Sequence, residues 1–501
     1  MTDTLAARSS RALRWSWAGA LLRAVLQFVI QIAMARLLGP ESFGQAAAAL
    51  LVLGLAALVA EAGLASALVQ RDRLGPQDCA VACGWLIMIA LAVAALMALA
   101  AAPIAHALGE AALQPLVLAS AAIVPLQAWT ALPTAWLQRQ FAARQLLVAQ
   151  LGAYVGGYGV VGLTAAALGG GAWSLLMAFA AHAALFAFLA GRASAVSWWP
   201  RLGAPGAVPM LQYGLRTLLA NLVNWALESV DRLWVSRNGG AASLGAYTAA
   251  ATLARAPVTL LVGASQPVAF AAASRLQEQG DRLARGYLAV VALALLVAVP
   301  LFTWLAVFAQ PLVMLLYGSA WSAAAAPFAL LCLGVPFFVM LALTGPILRG
   351  VDAVGSETRA HAIVLLLLLI ALWASLHWPW GETLVMVAVL FSAANVLRAL
   401  ALANALSRRI GLAPWTPWAA WRGGALLGVV VMVAALLFRA LGLAPAAAAL
   451  ATAVATLVIA PLWLRVAAGA LLAPPLRLAL ANRRGDSILA ASLCRWARIA
   501  H

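Results

Sequence analysis

The chain has 501 residues, of which 66% are hydrophobic and only 9% are charged, and its mean hydropathy is +1.00. Soluble domains carry about 25% charged residues, so this composition excludes an ordinary cytosolic enzyme, a disordered chain and a nucleic-acid-binding module. The formal net charge of +17 comes from 31 arginines, with no lysine, that are scattered singly between long apolar runs. That pattern is typical of a polytopic membrane protein, and we expect no nucleic-acid partner.

The four cysteines and five histidines do not predict a metal site. Cys79 and Cys83 are one helical turn apart, but no histidine or further cysteine accompanies them at the spacing that zinc requires. We interpret them as small packing residues. The sequence therefore predicts no metal and no cofactor. The segment Met1–Arg14 is basic, but the apolar run after it is too long for a cleavable signal peptide, so we expect the first span to stay as an anchor.

The distribution of apolar runs predicts an all-α polytopic membrane protein. A helix needs about 20 apolar residues to cross a bilayer, and about 14 runs meet this requirement. We expect two pseudo-symmetric six-helix lobes around a central cavity, followed by two C-terminal helices. The predicted organisation is a basic N-terminus (1–14), an N-terminal lobe (15–205), a C-terminal lobe (206–410), two further helices (411–466) and a basic tail (467–501).

The placement of arginines predicts the orientation. With a cytoplasmic N-terminus and alternating spans, most arginines fall on the cytoplasmic side, as the positive-inside rule requires. Only Arg36, Arg237 and Arg439 then lie near the outer face, and Arg23, Arg216, Arg232, Arg255 and Arg398 lie inside spans. Both termini are therefore expected in the cytoplasm. The basic tail is interpreted either as a segment that lies on anionic lipid or as a solvated end.

A nine-residue pattern, R-x-x-G-x-x-S-[FL]-G, occurs at Arg36–Gly44 and again at Arg237–Gly245. The two copies are 201 residues apart, which is close to the length of six spans. Because six is an even number, the two halves would have the same orientation and form a parallel repeat, as in many transporters. The alternative is that both segments are simply favourable turns.

Two predicted spans carry polar side chains along one face of an apolar helix. In the first span the polar positions are Arg23, Gln27 and Gln31. In the seventh span they are Thr217, Asn221, Asn224, Glu228 and Asp231. The spacing of three or four residues places each set on one helix face. Polar groups at bilayer depth are costly, so both stripes are functional candidates and suggest a wet cleft between the lobes.

The offset of 201 residues maps Arg23 onto Asn224 and Gln27 onto Glu228, so the two stripes occupy equivalent places in the two lobes. A further arginine, Arg255, lies near mid-depth in the eighth span, two residues before Pro257. Proline bends a helix, and a bend is tolerated where the helix lines a cavity.

The charged groups also have structural interpretations. Glu228 and Arg232 are one helical turn apart and could form an intrahelical ion pair. Arg23 has no acidic neighbour on its own helix, so its alternative is a partner on another helix, such as Glu61. Otherwise a buried arginine suits a phosphate or carboxylate ligand, because its planar guanidinium donates two parallel hydrogen bonds and keeps its charge.

Five short blocks, in order and spacing, resemble the polysaccharide transporter family of flippases. They are Ala35–Gly44, Leu137–Phe141, Asp231–Val235, Leu244–Ala250 and Ser274–Gln277. The family belongs to the multidrug/oligosaccharidyl-lipid/polysaccharide exporter superfamily and includes exporters of O-antigen, colanic acid and teichoic acid. The resemblance covers about Arg11 to Arg409 and is specific to the family, not to a substrate.

This resemblance implies a transporter, not an enzyme, in the bacterial inner membrane. It would move polyprenyl-diphosphate-linked oligosaccharide repeat units, the precursors of O-antigen, exopolysaccharide or capsule, from the cytoplasmic to the periplasmic leaflet. The resemblance also implies a cationic cavity and a lateral gate for the lipid tail. Arg23 and Arg255 match family arginines in the first and eighth helices, and Asp231 and Arg232 match a family motif. Because cavity arginines are few here, we expect a small or charged sugar.

The predicted mechanism is alternating access. Arg23 and Arg255 would attract the diphosphate, while Gln27, Gln31, Asn221 and Asn224 would bind sugar hydroxyls. Glu228 and Asp231 would carry a coupling proton or Na⁺, or would only pair with Arg232; the membrane potential is a further energy source. The expected partners are the lipid-linked substrate, membrane lipids, a polysaccharide polymerase and a chain-length regulator.

Two rival functions remain at this stage. A drug or cation antiporter of the same superfamily would need acidic residues in the first lobe, where the first span offers Arg23 instead. A membrane glycosyltransferase, polymerase or ligase of the same pathway usually needs a large outer loop or an acidic outer-loop catalyst, and the predicted outer connections are short with few acids.

Overall fold

The computed structural model describes residues 5–70, 76–140, 142–194, 199–201, 207–263, 265–377 and 382–467, and these contain helices and no strand. The all-α prediction is therefore confirmed for this part of the chain. The predicted basic tail lies outside the described residues except for residue 467, and so do the first four residues of the basic N-terminus.

Up to Val262, the described residues form ten α-helices. They are α1 (Leu5–Glu61), α2 (Leu64–Gln70), α3 (Pro76–Leu99), α4 (Ala101–Ala107), α5 (Gln114–Trp129), α6 (Ala131–Arg139), α7 (Ala143–Tyr154), α8 (Leu163–Ala167), α9 (Ala172–Ser194) and α10 (Ala207–Val262). A 3₁₀ turn (Ala111–Leu113) precedes α5, and a π-helix (Val155–Gly162) joins α7 to α8.

The second half continues with nine α-helices among the described residues. They are α11 (Ser265–Arg275), α12 (Gly280–Val307), α13 (Ala309–Tyr317), α14 (Ala325–Gly350), α15 (Val354–Ser375), α16 (Thr383–Arg409), α17 (Thr416–Ala419), α18 (Trp421–Ala440) and α19 (Pro445–Ala467). A 3₁₀ helix (Ser319–Ala324) leads into α14.

Ten helical segments of the described residues are long and apolar enough to cross a membrane. The first, Leu22–Leu68, has 47 residues, about twice the length that one crossing needs. The ten do not include α10, where the sequence predicts the seventh and eighth spans. The chain is a multi-pass membrane protein, and the count of 14 spans stays a prediction.

The two longest helices are each interrupted at one glycine. In α1 the break is at Gly39, with φ 70° and ψ 172°, and in α10 it is at Gly240, with φ 76° and ψ 179°. A positive φ is accessible to glycine at little cost because glycine has no Cβ atom. These are the glycines of the two R-x-x-G-x-x-S-[FL]-G segments, so both copies break their helix at the same position and with the same backbone geometry.

Contacts between Cα atoms divide the chain into unit 1, Met1–Ala249, and unit 2, Ala250–His501. In unit 1, α1 packs against α3, α5, α7 and α9. In unit 2, α14 is the most enclosed helix and packs against α11, α12 and α16. The predicted lobe boundaries, 15–205 and 206–410, stay a prediction.

Candidate functional site

The polar stripe of α1 lies on the side of the helix opposite its exposed apolar face. Leu22, Val25 and Val29 are 51–57% exposed and cluster on one side. At 100° per residue, Arg23, Gln27 and Gln31 lie on the other side, together with the buried Ile30 and Met34. Arg23 is exposed, whereas Gln27 and Gln31 are half-buried. The guanidinium group therefore does not share the face that the apolar side chains present outward.

Arg23 makes its hydrogen bond to another helix. Its Nη1 atom donates to the Oε1 atom of Gln150 on α7 at 2.9 Å. The sequence suggested Glu61 as an alternative partner on another helix, but the acceptor of this hydrogen bond is Gln150. Gln150 is uncharged, so the positive charge of Arg23 is not neutralised by this contact, which fits a group that meets an anionic ligand.

An aromatic cluster, formed by Tyr154, Tyr158 and His182, lies close to Arg23. The rings of Tyr154 and Tyr158 stack with centroids 4.8 Å apart, and His182 lies 6.1 Å and 5.7 Å from them. These residues and Gln150 were not predicted from the sequence, because two tyrosines four positions apart in an apolar helix are typical of packing. The only signal was that spacing, since His182 comes from a different helix, α9.

The polar stripe of α10 has the same arrangement as that of α1. Leu215 and Leu219 are 57% and 59% exposed and define the outward apolar face. Thr217, Asn221, Asn224, Glu228 and Asp231 lie on the opposite side by helical geometry. Asn221 and Asn224 are exposed, Thr217 and Glu228 are half-buried, and Asp231 is buried. Both stripes belong to unit 1.

The three charged residues at the end of this stripe make different contacts. The buried carboxylate of Asp231 accepts a hydrogen bond from the Tyr247 hydroxyl at 2.9 Å, which connects the two sides of the break at Gly240. Arg232 donates to the main-chain carbonyl of Glu228 at 2.6 Å, and its Nε atom lies 4.0 Å from Asp231. Both carboxylates belong to the stripe, but Asp231 is buried, whereas Glu228 is half-buried.

Arg255 belongs to unit 2 and has aromatic neighbours. Its guanidinium carbon lies 5.7 Å from the ring centroids of both Phe338 and Phe391. The side chain is half-buried, and Pro257 lies inside the same helix, as the sequence predicted. Aromatic faces stabilise a nearby cation through the ring quadrupole, so both phenylalanines favour a guanidinium group at this place.

Unit 2 contains a charged cluster that was not predicted from the sequence. Arg349 at the end of α14 and Glu357 at the start of α15 form an ion pair of 2.8 Å. The buried Arg398 of α16 also acts electrostatically on Glu357 and contacts Asn395 at 3.4 Å. The pair spans only eight residues across a short turn, which is the signal that could have revealed it.

The two repeated turns contact each other within unit 1. A Cβ atom built on Gly44 would overlap the carbonyl oxygen of Ala241, and one built on Gly245 would overlap the carbonyl oxygen of Pro40. The offset of 201 residues relates Gly44 to Gly245 and Pro40 to Ala241, so the contact is reciprocal. At a second close approach, Gly63 lies against the main chain of Gly214, and Gly214 lies against the carbonyl oxygen of Ala62. At both places only the absence of a side chain allows the main chains to come so close.

Comparison with known proteins gives the family. Residues 33–326, more than half of the chain, match the model of a family described as polysaccharide biosynthesis protein. The chain belongs to this family. Its similarity to the succinoglycan biosynthesis transport protein ExoT of Rhizobium meliloti (strain 1021) is 26% identity over 359 residues, which cover 70% of this chain and 71% of that protein. The chain is thus a membrane transport protein of polysaccharide biosynthesis, as the sequence indicated.

Solved structures of transporters share its fold. A lipid II flippase, MurJ, in an inward closed conformation has a TM-score of 0.68 at 15% identity, over 91% of this chain and 98% of that one. An inward-facing multidrug resistance MATE family transporter of the MOP superfamily has a TM-score of 0.61 at 14% identity, over 79% and 98%. A MOP superfamily transporter from Pyrococcus furiosus Vc1 (DSM3638) has a TM-score of 0.54 at 16% identity, over 80% and 95%.

Proposed function

We propose that this family member is a flippase that moves polyprenyl-diphosphate-linked oligosaccharide repeat units from the cytoplasmic to the periplasmic leaflet of the bacterial inner membrane. The observation that carries the proposal is the pair of equivalent polar stripes in α1 and α10. Each lies opposite an exposed apolar face, and the two are related by the repeat. A carrier for a polar headgroup needs such a water-accessible surface across an otherwise apolar protein.

The residues of the stripes match the chemistry of the proposed substrate. The guanidinium group of Arg23 is suited to a diphosphate because it donates paired hydrogen bonds to phosphate oxygens. Gln27, Gln31, Asn221 and Asn224 supply amide donors and acceptors for sugar hydroxyls. Arg255 would add a second positive charge, held by Phe338 and Phe391. No covalent step is required.

The proposed mechanism is alternating access between two six-helix lobes, with two further helices and both termini in the cytoplasm. The reciprocal contact of the Gly44 and Gly245 turns would then close the periplasmic side of the cavity. Glu228, on the stripe, is the proposed site of a coupling proton or Na⁺. Asp231 is assigned a positioning role because its carboxylate is buried and bonded to Tyr247.

A complementation experiment tests this function. In a strain that depends on this protein for its surface polysaccharide, Arg23→Ala should abolish the polymer while the amount of protein in the membrane stays normal. The lipid-linked saccharide should accumulate in the same cells. Arg408→Ala, at an exposed position at the C-terminal end of α16, serves as the matched control and should retain export. Normal polymer in the Arg23→Ala strain would contradict the proposal.

A drug or cation antiporter is the second candidate, and the fold shared with MATE transporters favours it. Such a protein should bind organic cations, and Arg23 would oppose their entry into the first stripe. Cells that express this chain should therefore gain no resistance to ethidium or tetraphenylphosphonium. A glycosyltransferase, polymerase or ligase would instead transfer sugar as a purified protein, which the flippase proposal does not expect.

A further inference from the structure

The aromatic cluster of Tyr154, Tyr158 and His182 has a geometry that depends on an unusual stretch of backbone. Tyr154 is the last residue of α7, and Tyr158 lies inside the π-helix Val155–Gly162. The wider turn of a π-helix changes the angle between successive side chains, and such segments are frequent at functional sites. Here the two rings stack 4.8 Å apart with only 25° between their planes.

A glycine in the π-helix brings the histidine to the two tyrosines. A Cβ atom built on Gly157 would meet the backbone nitrogen and the Cα and Cβ atoms of His182 at 2.5–2.6 Å. Any other residue at position 157 would push α9 away from the π-helix. His182 also stacks on the buried Phe186 with 10° between the rings, which fixes the plane of the imidazole.

One polar atom of the cluster is buried without a partner in the part of the chain that the structure describes. The Nδ1 atom of His182 makes no hydrogen bond there. A cluster that served only packing would leave this nitrogen unsatisfied, which is unfavourable for a polar group away from water. A polar ligand that supplies the missing hydrogen bond explains the arrangement better.

The positive charge of Arg23 beside the cluster limits the charge that a ligand can carry. Gln150 lies one helical turn before Tyr154 on α7 and accepts the hydrogen bond from Arg23. Arg23 acts electrostatically on both Tyr154 and His182. Aromatic cages attract cations, but a fixed guanidinium charge at the same place repels them. A neutral or anionic ligand with an apolar face and several hydroxyl groups fits these conditions, and a sugar ring has both features.

We propose that Gln150, Tyr154, Tyr158 and His182 form, with Arg23, a subsite for the sugar that is attached directly to the diphosphate. This proposal rests on the proposed flippase function. It assigns the binding position of one part of the substrate, the sugar next to the diphosphate. The C–H face of the sugar stacks on the tyrosine rings. Its hydroxyl groups bond to the phenols, the imidazole and the amide of Gln150. The phosphate next to the sugar meets Arg23.

Binding by the purified full-length protein in lipid nanodiscs tests the subsite. Two probes are compared: undecaprenyl diphosphate, which has no sugar, and the lipid-linked saccharide extracted from a strain that lacks the transporter. Tyr154→Ala should weaken binding of the saccharide-bearing lipid about two- to tenfold, because the sugar loses an aromatic face on which it stacks. Binding of undecaprenyl diphosphate should not change. Arg23→Ala should weaken both probes.

Matched variants keep the test decisive. Tyr154→Phe retains the ring and should keep most of the affinity. Tyr154→Leu retains much of the volume without an aromatic face, so it should weaken binding as Tyr154→Ala does. It replaces Tyr154→Ala in the test if the alanine variant does not fold. Trp173→Ala, an exposed aromatic position elsewhere on α9, should have no effect. Equal weakening of both probes, or of neither, by the Tyr154 variants overturns the subsite. If the wild-type protein binds tetraphenylphosphonium and Tyr154→Ala abolishes this binding, the cluster is a cation cage, and the sugar subsite is also overturned.

Wild-type protein that binds neither lipid would instead overturn the proposed function itself.

Discussion

The two copies of the repeated hairpin share their backbone but differ in the side chains that they place on it. Both break their helix at one glycine, Gly39 or Gly240, with nearly identical φ and ψ angles. Both then place a second glycine, Gly44 or Gly245, against the main chain of the other copy. What the copies retain is therefore the geometry of the turn and its close approach.

The polar residues of the two hairpins are distributed differently. The first copy has its arginine in the first helix, Arg23, where the second copy has Asn224. The second copy has Arg255 in its second helix, where the first copy has Gly54. The two copies thus share the backbone geometry of the turn but differ in the position of their charged residues.

The largest expected effect breaks the contact that the copies share. In Gly44→Ala or Gly245→Ala, the new Cβ atom would overlap a carbonyl oxygen of the opposite turn, and a main-chain atom cannot rotate away. Each variant should lower polysaccharide export by about tenfold or more, corresponding to about 1.4 kcal/mol lost from the closed state. Export is measured as surface polymer per unit of membrane-inserted protein.

Because Gly44 and Gly245 contact each other's turns, the double variant and a glycine elsewhere in the chain serve as controls. The double variant should be no worse than either single one, because one Cβ atom already separates the turns and contacting sites are not additive. Gly355→Ala, in α15 with open space around it, should export normally. Strongly unequal effects of Gly44→Ala and Gly245→Ala would contradict the reciprocal contact.

The same turns show how far the sequence could be interpreted without a structure. The pattern R-x-x-G-x-x-S-[FL]-G, the helical content and the two stripes followed from residue types and spacing, because helix geometry places every third or fourth residue on one face. The contact between Gly44 and Ala241 could not be predicted, since it joins residues far apart in the chain.

The aromatic cluster beside Arg23 was beyond sequence reasoning for a related reason. Its geometry needs a π-helix, for which the sequence has no reliable signal, and a glycine contact between Gly157 and His182. For Arg23, the sequence left open a ligand or a partner such as Glu61, and the structure shows Gln150 as its hydrogen-bond partner.

An effect on the free energy of unfolding is expected where the copies differ inside the hairpin. The buried pair Asp231–Tyr247 in the second copy corresponds to Ile30 and Ala46 in the first, which are buried and apolar. Tyr247→Phe should cost about 1.5–3 kcal/mol of unfolding free energy, as expected for a hydrogen bond to a charged group. Thermal and denaturant unfolding in detergent measure this loss.

The paired substitution sharpens that comparison. Asp231→Leu alone leaves the Tyr247 hydroxyl buried without its acceptor, whereas Asp231→Leu with Tyr247→Phe makes the contact apolar, as in the first copy. The double variant should therefore be more stable than the sum of the two single losses indicates. Strict additivity would show that the hydrogen bond between the two residues contributes little.

The smallest effect is expected where the second copy begins, because Ser236 and Arg237 contact main-chain carbonyl groups at the C-terminal end of α4. The exposed Arg237 donates to the carbonyl oxygen of Ala107, and the buried Ser236 donates to that of Leu108, both at 3.0 Å. Arg237→Ala should cost about 0.5 kcal/mol, and Ser236→Ala about 1 kcal/mol because its buried acceptor loses its partner. The reverse order in thermal unfolding would contradict this assignment, and export should stay normal in both.

A leaflet assay with reconstituted protein tests the central claim most directly. Proteoliposomes that contain the labelled lipid-linked saccharide are exposed to a membrane-impermeant reagent that oxidises sugars, and the rate at which the inner-leaflet pool becomes reactive is followed. Wild-type protein should expose this pool much faster than empty vesicles do, and Arg23→Ala should return the rate to that of empty vesicles. A wild-type rate equal to that of empty vesicles, or an Arg23→Ala rate equal to wild type, would contradict the account.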